Sequence, residues 1–167
     1  MPRTLANSLP APHTLSLRPP IPADYRELST WIPDAAACRR WAGSRLAFPF
    51  HPGELEVLLQ ASERHCFTLS DATNRFVGYA QSWTDRPPDC HLGRLIVAPE
   101  ARGRGYGRRL CELLIAHHGQ GSQPLTLRVL RDNTVAHALY LSLGFQACAT
   151  NSTPEILFMR RPATALR

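Results

Sequence analysis

The chain has 167 residues, of which 44% are hydrophobic and 19% charged, and its formal net charge is +6. This length and composition are typical of a single globular domain. No apolar stretch approaches the roughly 20 residues that a membrane-spanning helix needs, and the first residues lack the apolar core of a signal peptide. We therefore expect one cytoplasmic domain without a membrane segment.

The positive charge suggests nucleic acid as a partner. The arginines are spread along the chain, however, and their one local cluster, between Arg102 and Arg109, is not interleaved with aromatic residues as a base-stacking platform requires. We do not expect nucleic-acid binding. The five cysteines are scattered and form no Cys-x-x-Cys pair, so we expect neither a metal site nor a redox motif.

The composition also predicts the bounds of the domain. Residues 1–12 are rich in proline and alanine and show no periodicity, which predicts a disordered tail. The domain is predicted to span residues 13–162, and residues 163–167 form a short C-terminal tail.

The N-terminal half is predicted to contain a strand and two helices. His13–Arg18 alternate in polarity as a strand does, and Asp24 is placed to cap a helix that runs through Trp31. Residues 33–53 form a longer irregular or helical segment. Glu54–Ser62 carry leucines at helical spacing and predict a short helix.

Three strands follow in the prediction. They cover His65–Ser70, Arg75–Trp83 and residues 91–97, the last with an apolar run that Pro99 ends. A turn at residues 71–74 separates the first two strands, and a loop at residues 84–89 precedes the third.

The C-terminal part begins with a helix, since four residues fall at its characteristic spacing: Leu110, Leu113, Leu114 and His117. The remaining predicted elements are a strand at Pro124–Leu130, a helix at Asn133–Ser142 that Gly144 ends, and an antiparallel pair at Phe145–Thr150 and Glu155–Arg160. The order β-α-α-β-β-β-α-β-α-β-β predicts an α/β fold of the α+β type, with a mixed sheet.

The junction between the strand at residues 91–97 and the next helix is rich in glycine. It reads Arg102-Gly103-Arg104-Gly105-Tyr106-Gly107. Alternating glycines let the backbone turn tightly and expose N–H groups, behind which lies the positive end of the helix dipole. This arrangement predicts a phosphate site.

Two common phosphate motifs do not fit this loop. A P-loop needs a Gly-Lys pair, and the chain has none. The Rossmann fingerprint needs a third glycine, but that position holds Arg108 when counted from Gly103 and Leu110 when counted from Gly105.

The loop does match the pattern Gln/Arg-x-x-Gly-x-Gly/Ala. A second motif follows after one strand: Asn133, Ala136 three residues on, and then Tyr140-x-x-x-Gly144-Phe145. With the preceding Leu-Ile-Val-x-Pro strand, this combination resembles the GNAT superfamily of N-acetyltransferases over roughly the C-terminal half of the domain.

The resemblance implies an acyl-CoA N-acyltransferase fold with a central, mostly antiparallel sheet flanked by helices. It implies acetyl-CoA as co-substrate, no metal, and direct acetyl transfer to a primary amine of a small molecule or peptide. A GNAT-fold protein that binds acyl-CoA with little transfer is the alternative. The strands near residues 145–160 are sheet edges, which leaves open a homodimer or a monomer.

The resemblance also implies roles for residues that share the two motifs. Backbone groups of the strand end would bind the pantetheine arm and the thioester oxygen: Leu95, Ile96 and Val97. The loop would bind the pyrophosphate: Arg102, Gly103, Arg104, Gly105, Tyr106 and Gly107. Asn133 would hydrogen-bond the cofactor near the pantetheine, and Tyr140 would protonate the leaving thiolate.

The base that deprotonates the amine is the open part of this assignment. Many relatives carry a Glu where this chain has Gly93. By strand alternation His91 shares a face with Gly93 and Leu95, and its unperturbed pKa of about 6.5 suits proton transfer. Water, Asp34 and Glu54 remain alternatives.

Four aromatic residues of the N-terminal half have two interpretations, since they either line an acceptor pocket or pack in the core. They are Trp31, Trp41, Phe48 and Phe50.

Overall fold

The computed structural model describes residues 9–60, 64–119 and 122–164. In these residues the strands are β1 (Ser16–Arg18), β2 (His65–Ser70), β3 (Phe76–Arg86), β4 (Asp89–Val97), β5 (Leu125–Leu130), β6 (Gln146–Ala147) and β7 (Ile156–Arg161). The α-helices are α1 (Pro22–Thr30), α2 (Ala35–Ala42), α3 (Leu55–Gln60), α4 (Tyr106–His117) and α5 (Thr134–Ser142).

The strands form one sheet in the order β1-β2-β3-β4-β5-β7-β6. Only β4 and β5 run parallel, and each other neighbouring pair is antiparallel. The predicted mixed, mostly antiparallel sheet with flanking helices is therefore confirmed. None of the helices in the described residues has both the length and the apolar character needed to cross a membrane.

The N-terminal half contains one helix more than the predicted order. Helix α2 forms within the segment at residues 33–53, where Asp34 caps it by accepting a hydrogen bond from the amide of Ala37 (2.8 Å). Aspartate at this position satisfies an amide that the first helical turn leaves without a partner.

Asp24 lies at the third position of α1 and not at its cap, because Pro22 starts the helix three residues earlier than predicted. Its buried carboxylate accepts hydrogen bonds from the Ile21 amide (2.9 Å) and the Thr68 hydroxyl (2.9 Å). Arg18 donates two more, at 2.6 and 3.0 Å. Asp24 thus joins α1 to strands β1 and β2.

The prediction of a loop at residues 84–89 is wrong. Strand β3 continues to Arg86, β4 starts at Asp89, and these two residues pair across a turn made by Pro87 and Pro88. The two strands therefore form one long hairpin.

A β-bulge interrupts β4 at its middle. Gly93 pairs with Gln81 and Ile96 with Tyr79, so Arg94 and Leu95 together oppose the single residue Ala80. Arg94 has a left-handed backbone conformation (φ 54°). A bulge breaks the alternation of side chains, and the prediction that Leu95 shares a face with Gly93 is therefore wrong.

Strands β4 and β5 separate just before this bulge. They pair only through Cys90 with Leu125 and His91 with Thr126. Beyond these residues β5 continues to pair with β7 along its whole length. The sheet is consequently split between the second half of β4 and β5.

Helix α4 packs against the sheet through a buried face that differs from the predicted stripe. Of the four predicted residues, Leu110 and Leu114 are buried, while Leu113 is only half-buried and His117 is exposed. The buried residues are Tyr106, Leu110, Cys111 and Leu114.

The structure describes part of the predicted N-terminal tail. Leu9 packs against the core, and the Tyr106 hydroxyl donates a hydrogen bond to the Pro10 carbonyl, so residues 9–12 are attached to the domain. The strand predicted from His13 begins instead at Ser16, after a 3-10 turn. Residues 1–8 and 165–167 of the two predicted tails lie outside the described residues.

The last antiparallel pair is shorter than predicted at Phe145–Thr150. Strand β6 covers only Gln146–Ala147, and a 3-10 turn at Ala149–Asn151 follows it. Strands β1 and β6 are the edges of the described sheet.

Candidate active site

A cleft of about 740 Å³ opens beside the second half of β4. We call it the β4–α4 cleft. Its walls are the end of β4, the glycine loop, α4, α5 and the connection between α1 and α2. Most of the residues predicted to bind a cofactor line it: Leu95, Ile96, Val97, Arg102, Gly103, Gly107, Asn133 and Tyr140.

The glycine loop ends at the N-terminus of α4. Gly103 (φ 72°) and Gly105 (φ 83°) have left-handed backbones, which glycine adopts without strain. Gly105 is the N-cap, and the Arg109 amide donates the first helical hydrogen bond, to the Gly105 carbonyl (3.0 Å). The amides of the preceding first turn are those that a helix leaves without internal acceptors, and they suit an anion.

Neither a left-handed backbone nor tight packing requires glycine at position 107. A Cβ atom built on it would contact only Leu139 at 3.8 Å and Val97 at 4.0 Å, which are ordinary van der Waals distances. The protein itself could accommodate a side chain there. The missing side chain leaves the helix N-terminus open to the cleft, as close approach of a phosphate group requires.

Three residues of the predicted phosphate loop do not line the cleft. Arg104 is exposed, and Gly105 forms the turn next to Pro12. The Tyr106 ring is buried in the core, where burial raises the pKa of its hydroxyl. Tyr106 can therefore face a ligand only with its backbone amide.

Arg102 connects the loop to the end of β4. Its Nε donates a hydrogen bond to the Val97 carbonyl (3.1 Å), while the rest of this exposed side chain lies at the mouth of the cleft. Within the predicted pantetheine-binding strand, the carbonyl of Val97 is thus already used by the protein.

Helix α5 supplies two side chains to the cleft. Asn133 is its N-cap, and its Oδ1 accepts a hydrogen bond from the Ala136 amide (3.3 Å), which leaves its NH₂ group to donate. Tyr140 is 9% exposed and packs edge-on against Phe145. Burial, with a smaller effect of Cys111, raises the pKa of Tyr140, so its hydroxyl stays protonated at neutral pH and can donate a proton.

A second cavity, of about 270 Å³, lies along residues 91–94 of β4. We call it the arginine cavity because six arginines line it: Arg39, Arg40, Arg45, Arg64, Arg94 and Arg128. Arg40 and Trp41 line both cavities, which therefore meet at α2. The bulge in β4 lies where the strand passes from one cavity to the other, since residues 91–94 line the arginine cavity and residues 95–97 line the β4–α4 cleft.

The arginine cavity shows why no carboxylate occupies position 93. A Cβ atom on Gly93 would lie 2.4 Å from Cη2 and 2.8 Å from Cζ3 of Trp83. The indole of Trp83 thus fills the space that a side chain at 93 would need. Sequence analysis missed Trp83, although a glycine inside a strand is itself a signal of close approach by another group.

His91 lies in the arginine cavity and Tyr140 in the β4–α4 cleft. His91 is 3% exposed, its Nδ1 is 2.8 Å from the Thr126 hydroxyl, and its ring centroid is 4.7 Å from that of Trp83. His91 and Gly93 both contact Trp83, which confirms that they share a face. The two predicted catalytic side chains therefore line different cavities.

The alternative bases lie elsewhere. Asp34 caps α2, and the exposed Glu54 accepts a hydrogen bond from the His51 amide (3.0 Å). Neither residue is part of the lining described for the two cavities.

Of the four aromatic residues of the N-terminal half that were predicted either to line a pocket or to pack in the core, two line a cavity and two pack in the core. Trp31 lines the β4–α4 cleft and stacks on Phe76 (4.4 Å), and Trp41 donates a hydrogen bond to the Arg94 carbonyl (2.8 Å). Phe48 and Phe50 pack against each other and the core. In the described part of the chain, no three His, Cys, Asp or Glu side chains are grouped to hold a metal ion.

Comparison with known proteins identifies acetyltransferases both by sequence and by structure. The acetyltransferase (GNAT) family model matches residues 35–145. A mycothiol acetyltransferase from Streptomyces bingchenggensis is 28% identical over 162 residues, which cover 89% of this chain and 52% of that protein. The chain spans about half the length of this and another curated relative that it matches.

Solved structures show the same fold. A spermidine N-acetyltransferase from Vibrio cholerae, in complex with CoA and spermine, has a TM-score of 0.73 at 19% identity, with 90% of this chain and 96% of that chain covered. A GCN5-related N-acetyltransferase from Kribbella flavida has a TM-score of 0.64 at 25% identity, with 91% and 99% covered.

Proposed function

The chain belongs to the GNAT family of acetyltransferases, and from this premise we propose that it transfers the acetyl group of acetyl-CoA directly to a primary amine of a small molecule or peptide. One observation carries the proposal. The split between β4 and β5 opens beside a cleft that ends at the glycine-lined N-terminus of α4. The names of mycothiol and spermidine acetyltransferases among its relatives support the class of reaction.

The β4–α4 cleft has the groups that acetyl-CoA needs. In the proposal the pyrophosphate binds the amides of the loop and of the first turn of α4, next to Gly103, Gly107 and Arg102. The pantetheine arm follows the end of β4 and bonds the Asn133 amide. A backbone N–H at the strand end polarises the thioester carbonyl, and such a contact typically contributes about 3 to 4 kcal/mol.

The acceptor amine approaches from the arginine cavity, which meets the cleft at Trp41. Its nitrogen attacks the thioester carbonyl, a C–N bond forms, and the C–S bond breaks without a covalent enzyme intermediate. Tyr140 then protonates the leaving thiolate. The position of Tyr140 in the lining of the β4–α4 cleft supports this role, and its phenol is protonated at neutral pH.

The amine must lose a proton before it attacks. A lysine-like amine with a pKa of about 10.4 is neutral to only roughly 0.04% at pH 7, which costs about 4.6 kcal/mol. The nearby guanidinium groups of Arg64 and Arg94 disfavour an ammonium ion and so lower this cost. In our proposal His91, which lines the same cavity, accepts the proton directly or through water.

The contact between Gly93 and Trp83 favours a second candidate function. It leaves no room for a carboxylate base, so the protein could bind acyl-CoA as a sensor or partner domain with little transfer. The two candidates differ in one measurable quantity, the release of free thiol from acetyl-CoA in the presence of amines.

The test is an acetylation assay over amino acids, polyamines, aminoglycosides and peptides, with thiol release and product mass as readouts. The proposal predicts acetylated product for at least one amine, and a lower rate in the Tyr140→Phe and His91→Ala variants. CoA binding without thiol release from any amine would support the second candidate and overturn the first. A cytoplasmic location and a homodimer remain predictions.

A further inference from the structure

The arginine cavity combines charges from distant parts of the chain. Two of its arginines belong to exposed ion pairs: Arg40 with Asp132 at 3.0 Å and Arg39 with Glu155 at 3.9 Å. The other four, Arg45, Arg64, Arg94 and Arg128, form no ion pair with a carboxylate among the described residues.

Three arginines elsewhere in the fold form close ion pairs with carboxylates, at 2.6 Å for Arg18, 3.0 Å for Arg75 and 2.8 Å for Arg160. Other arginines outside the cavity form no ion pair among the described residues, and the exposed ones need none because water solvates them; Arg26 and Arg104 are examples. An unpaired arginine is therefore informative where it is partly withdrawn from water.

Of the four unpaired arginines of the cavity, Arg94 is the most informative. It is partly buried, and its Nη1 donates a hydrogen bond to a neutral acceptor, the Gln81 side-chain oxygen (2.7 Å). Burial, and then the like charge of Arg64, lowers the pKa of Arg94. A guanidinium removed from water without a carboxylate is costly, and an anion bound beside it would offset that cost.

The backbone of Arg94 is also held in place. It occupies the bulge with a left-handed conformation (φ 54°), and its carbonyl accepts the hydrogen bond from Trp41. The bulge and this hydrogen bond together fix the position from which the Arg94 side chain extends.

Arg64 supplies the second positive group. Its guanidinium carbon lies 4.5 Å from the ring centroid of Trp83, a distance at which the ring attracts the cation. Stacking of this kind fixes the planar guanidinium and leaves its N–H edge to bind an oxyanion.

We propose that the acceptor amine carries an anionic group, a carboxylate or a phosphate, which Arg64 and Arg94 bind in the arginine cavity. This inference rests on the proposed function and names the class of its substrate. The cavity volume of about 270 Å³ suits a small molecule or one terminal residue of a peptide. A polyamine is disfavoured, since its charges would be repelled by the guanidinium groups.

The junction of the two cavities lets such an acceptor reach the thioester. Arg40 and Trp41 line both spaces, and residues 91–94 of β4 lead directly into residues 95–97. With its anionic group between Arg64 and Arg94, a short amine can extend toward the split in the sheet.

The test compares amines that differ in one charged group. The pairs are glycine with glycinamide and O-phosphoethanolamine with ethanolamine, and spermidine is the polycation. We expect glycine to exceed glycinamide in kcat/KM, or O-phosphoethanolamine to exceed ethanolamine, by about tenfold or more. A gain of this size is typical of a charge-assisted hydrogen bond. The larger of the two ratios identifies the carboxylate or the phosphate as the preferred group.

Variants locate the effect in the cavity. Arg64→Gln and Arg94→Gln should each raise the KM of the anionic amine about tenfold or more and leave the KM of acetyl-CoA unchanged. Arg94→Lys, which keeps the charge, should restore part of the loss. Arg26→Gln, on the exposed side of α1, is the matched control and should change neither constant.

A binding measurement separates this inference from the proposed function. Calorimetry on the CoA-saturated protein compares N-acetylglycine with N-acetylglycinamide and tests inorganic phosphate. Binding of an anion that Arg64→Gln weakens supports the inference, even if no amine is acetylated and the transferase proposal fails. Absence of anion binding, or acetylation of spermidine and ethanolamine as fast as of the anionic amines, would overturn the inference and leave the proposed function intact.

Discussion

The Cβ position of Gly93 lies 2.4 Å from Cη2 of Trp83, a distance that real Cβ atoms do not show. Any side chain at 93 must displace the indole, which also contacts His91 and Arg64. A bulky aromatic ring thus stands where many GNAT proteins carry a carboxylate. In the proposed transfer, the base must therefore come from another residue or from water.

The close approach of Trp83 to Gly93 predicts how substitutions at these two positions affect stability. Gly93→Ala should destabilise the protein by about 1 to 3 kcal/mol through overpacking. Trp83→Ala removes the opposing atoms, so the double variant should be more stable than the sum of the two single effects predicts. Urea unfolding of the four proteins measures this coupling. Additive effects would show that the indole does not occupy this space in solution.

Tyr140→Phe should slow the reaction without abolishing it. A thiolate with a conjugate-acid pKa of about 8.5 leaves without strict need for an acid, so we expect a kcat lower by about 10- to 100-fold, at or below the low end of what general acid catalysis typically contributes. Stability and CoA affinity should stay close to wild type, because the variant loses only a hydroxyl. Steady-state kinetics with calorimetry checks this, and an unchanged kcat would remove Tyr140 from the mechanism.

Asp24 should dominate the stability of the α1–sheet junction. Its carboxylate is 4% exposed and binds the partly buried Arg18, so Asp24→Ala should cost about 3 to 5 kcal/mol. Asp132→Ala breaks the exposed pair with Arg40 and should cost less than about 1 kcal/mol. Denaturant midpoints compare the two, and equal losses would contradict the assigned role of burial.

The pKa of Asp24 adds a pH dependence to this prediction. Burial raises this pKa, but the bonds from Arg18, Ile21 and Thr68 outweigh burial and lower it overall. A lowered folded-state pKa gives stability that is present above the unfolded value of about 3.9 and is lost as pH falls through the folded value. The gap in stability between wild type and Asp24→Ala should therefore shrink in strong acid.

His118 should destabilise the protein in mild acid. Burial, with the charges of His117 and His65, lowers the pKa of His118 to about 4. Between about pH 6.5 and 4 the unfolded chain binds a proton that the folded protein does not, so stability falls as pH decreases across this range. We expect roughly 1 to 2 kcal/mol after allowance for solvent screening of this half-buried ring.

The measurement is thermal or urea unfolding at several pH values between 4 and 7, for wild type and His118→Gln. The variant lacks the titrating group and should lose this part of the pH dependence. The same slope in both proteins would assign the effect to other histidines.

Most of the residues that the sequence assigned to a cofactor line the β4–α4 cleft, because the signals that identified them are local; their role there stays a prediction. The glycines at 103, 105 and 107 lie within five consecutive residues, and Asn133 and Tyr140 are the N-cap and a residue of the same helix, α5. Short-range patterns of this kind depend on backbone geometry that neighbouring residues determine. The mixed sheet followed from the order of elements for the same reason.

The arginine cavity could not be predicted in this way. Its arginines come from α2, β4, β5 and the segments around them, and only folding brings them together. The bulge at Arg94, which directs β4 from one cavity to the other, follows Gly93, and the sequence analysis did not use this glycine inside a strand as the bulge signal that it is. The scattered arginines that argued against nucleic-acid binding are therefore the same residues that define the arginine cavity.

The central claim is that the glycine loop at the start of α4 binds CoA. Gly107→Asp tests it most directly, because packing does not require glycine there and an acidic residue in the first turn favours a helix. Gly53→Asp is the control, since its Cβ would contact only His51, at an ordinary distance and outside the lining of both cavities. Both variants should unfold at the wild-type denaturant concentration.

Calorimetric titration with CoA is the decisive measurement. The account predicts that wild type and Gly53→Asp bind CoA with the same affinity, and that Gly107→Asp binds at least about tenfold more weakly, because a carboxylate then occupies the phosphate position. No binding heat with the wild-type protein, or unchanged affinity in Gly107→Asp, would contradict it.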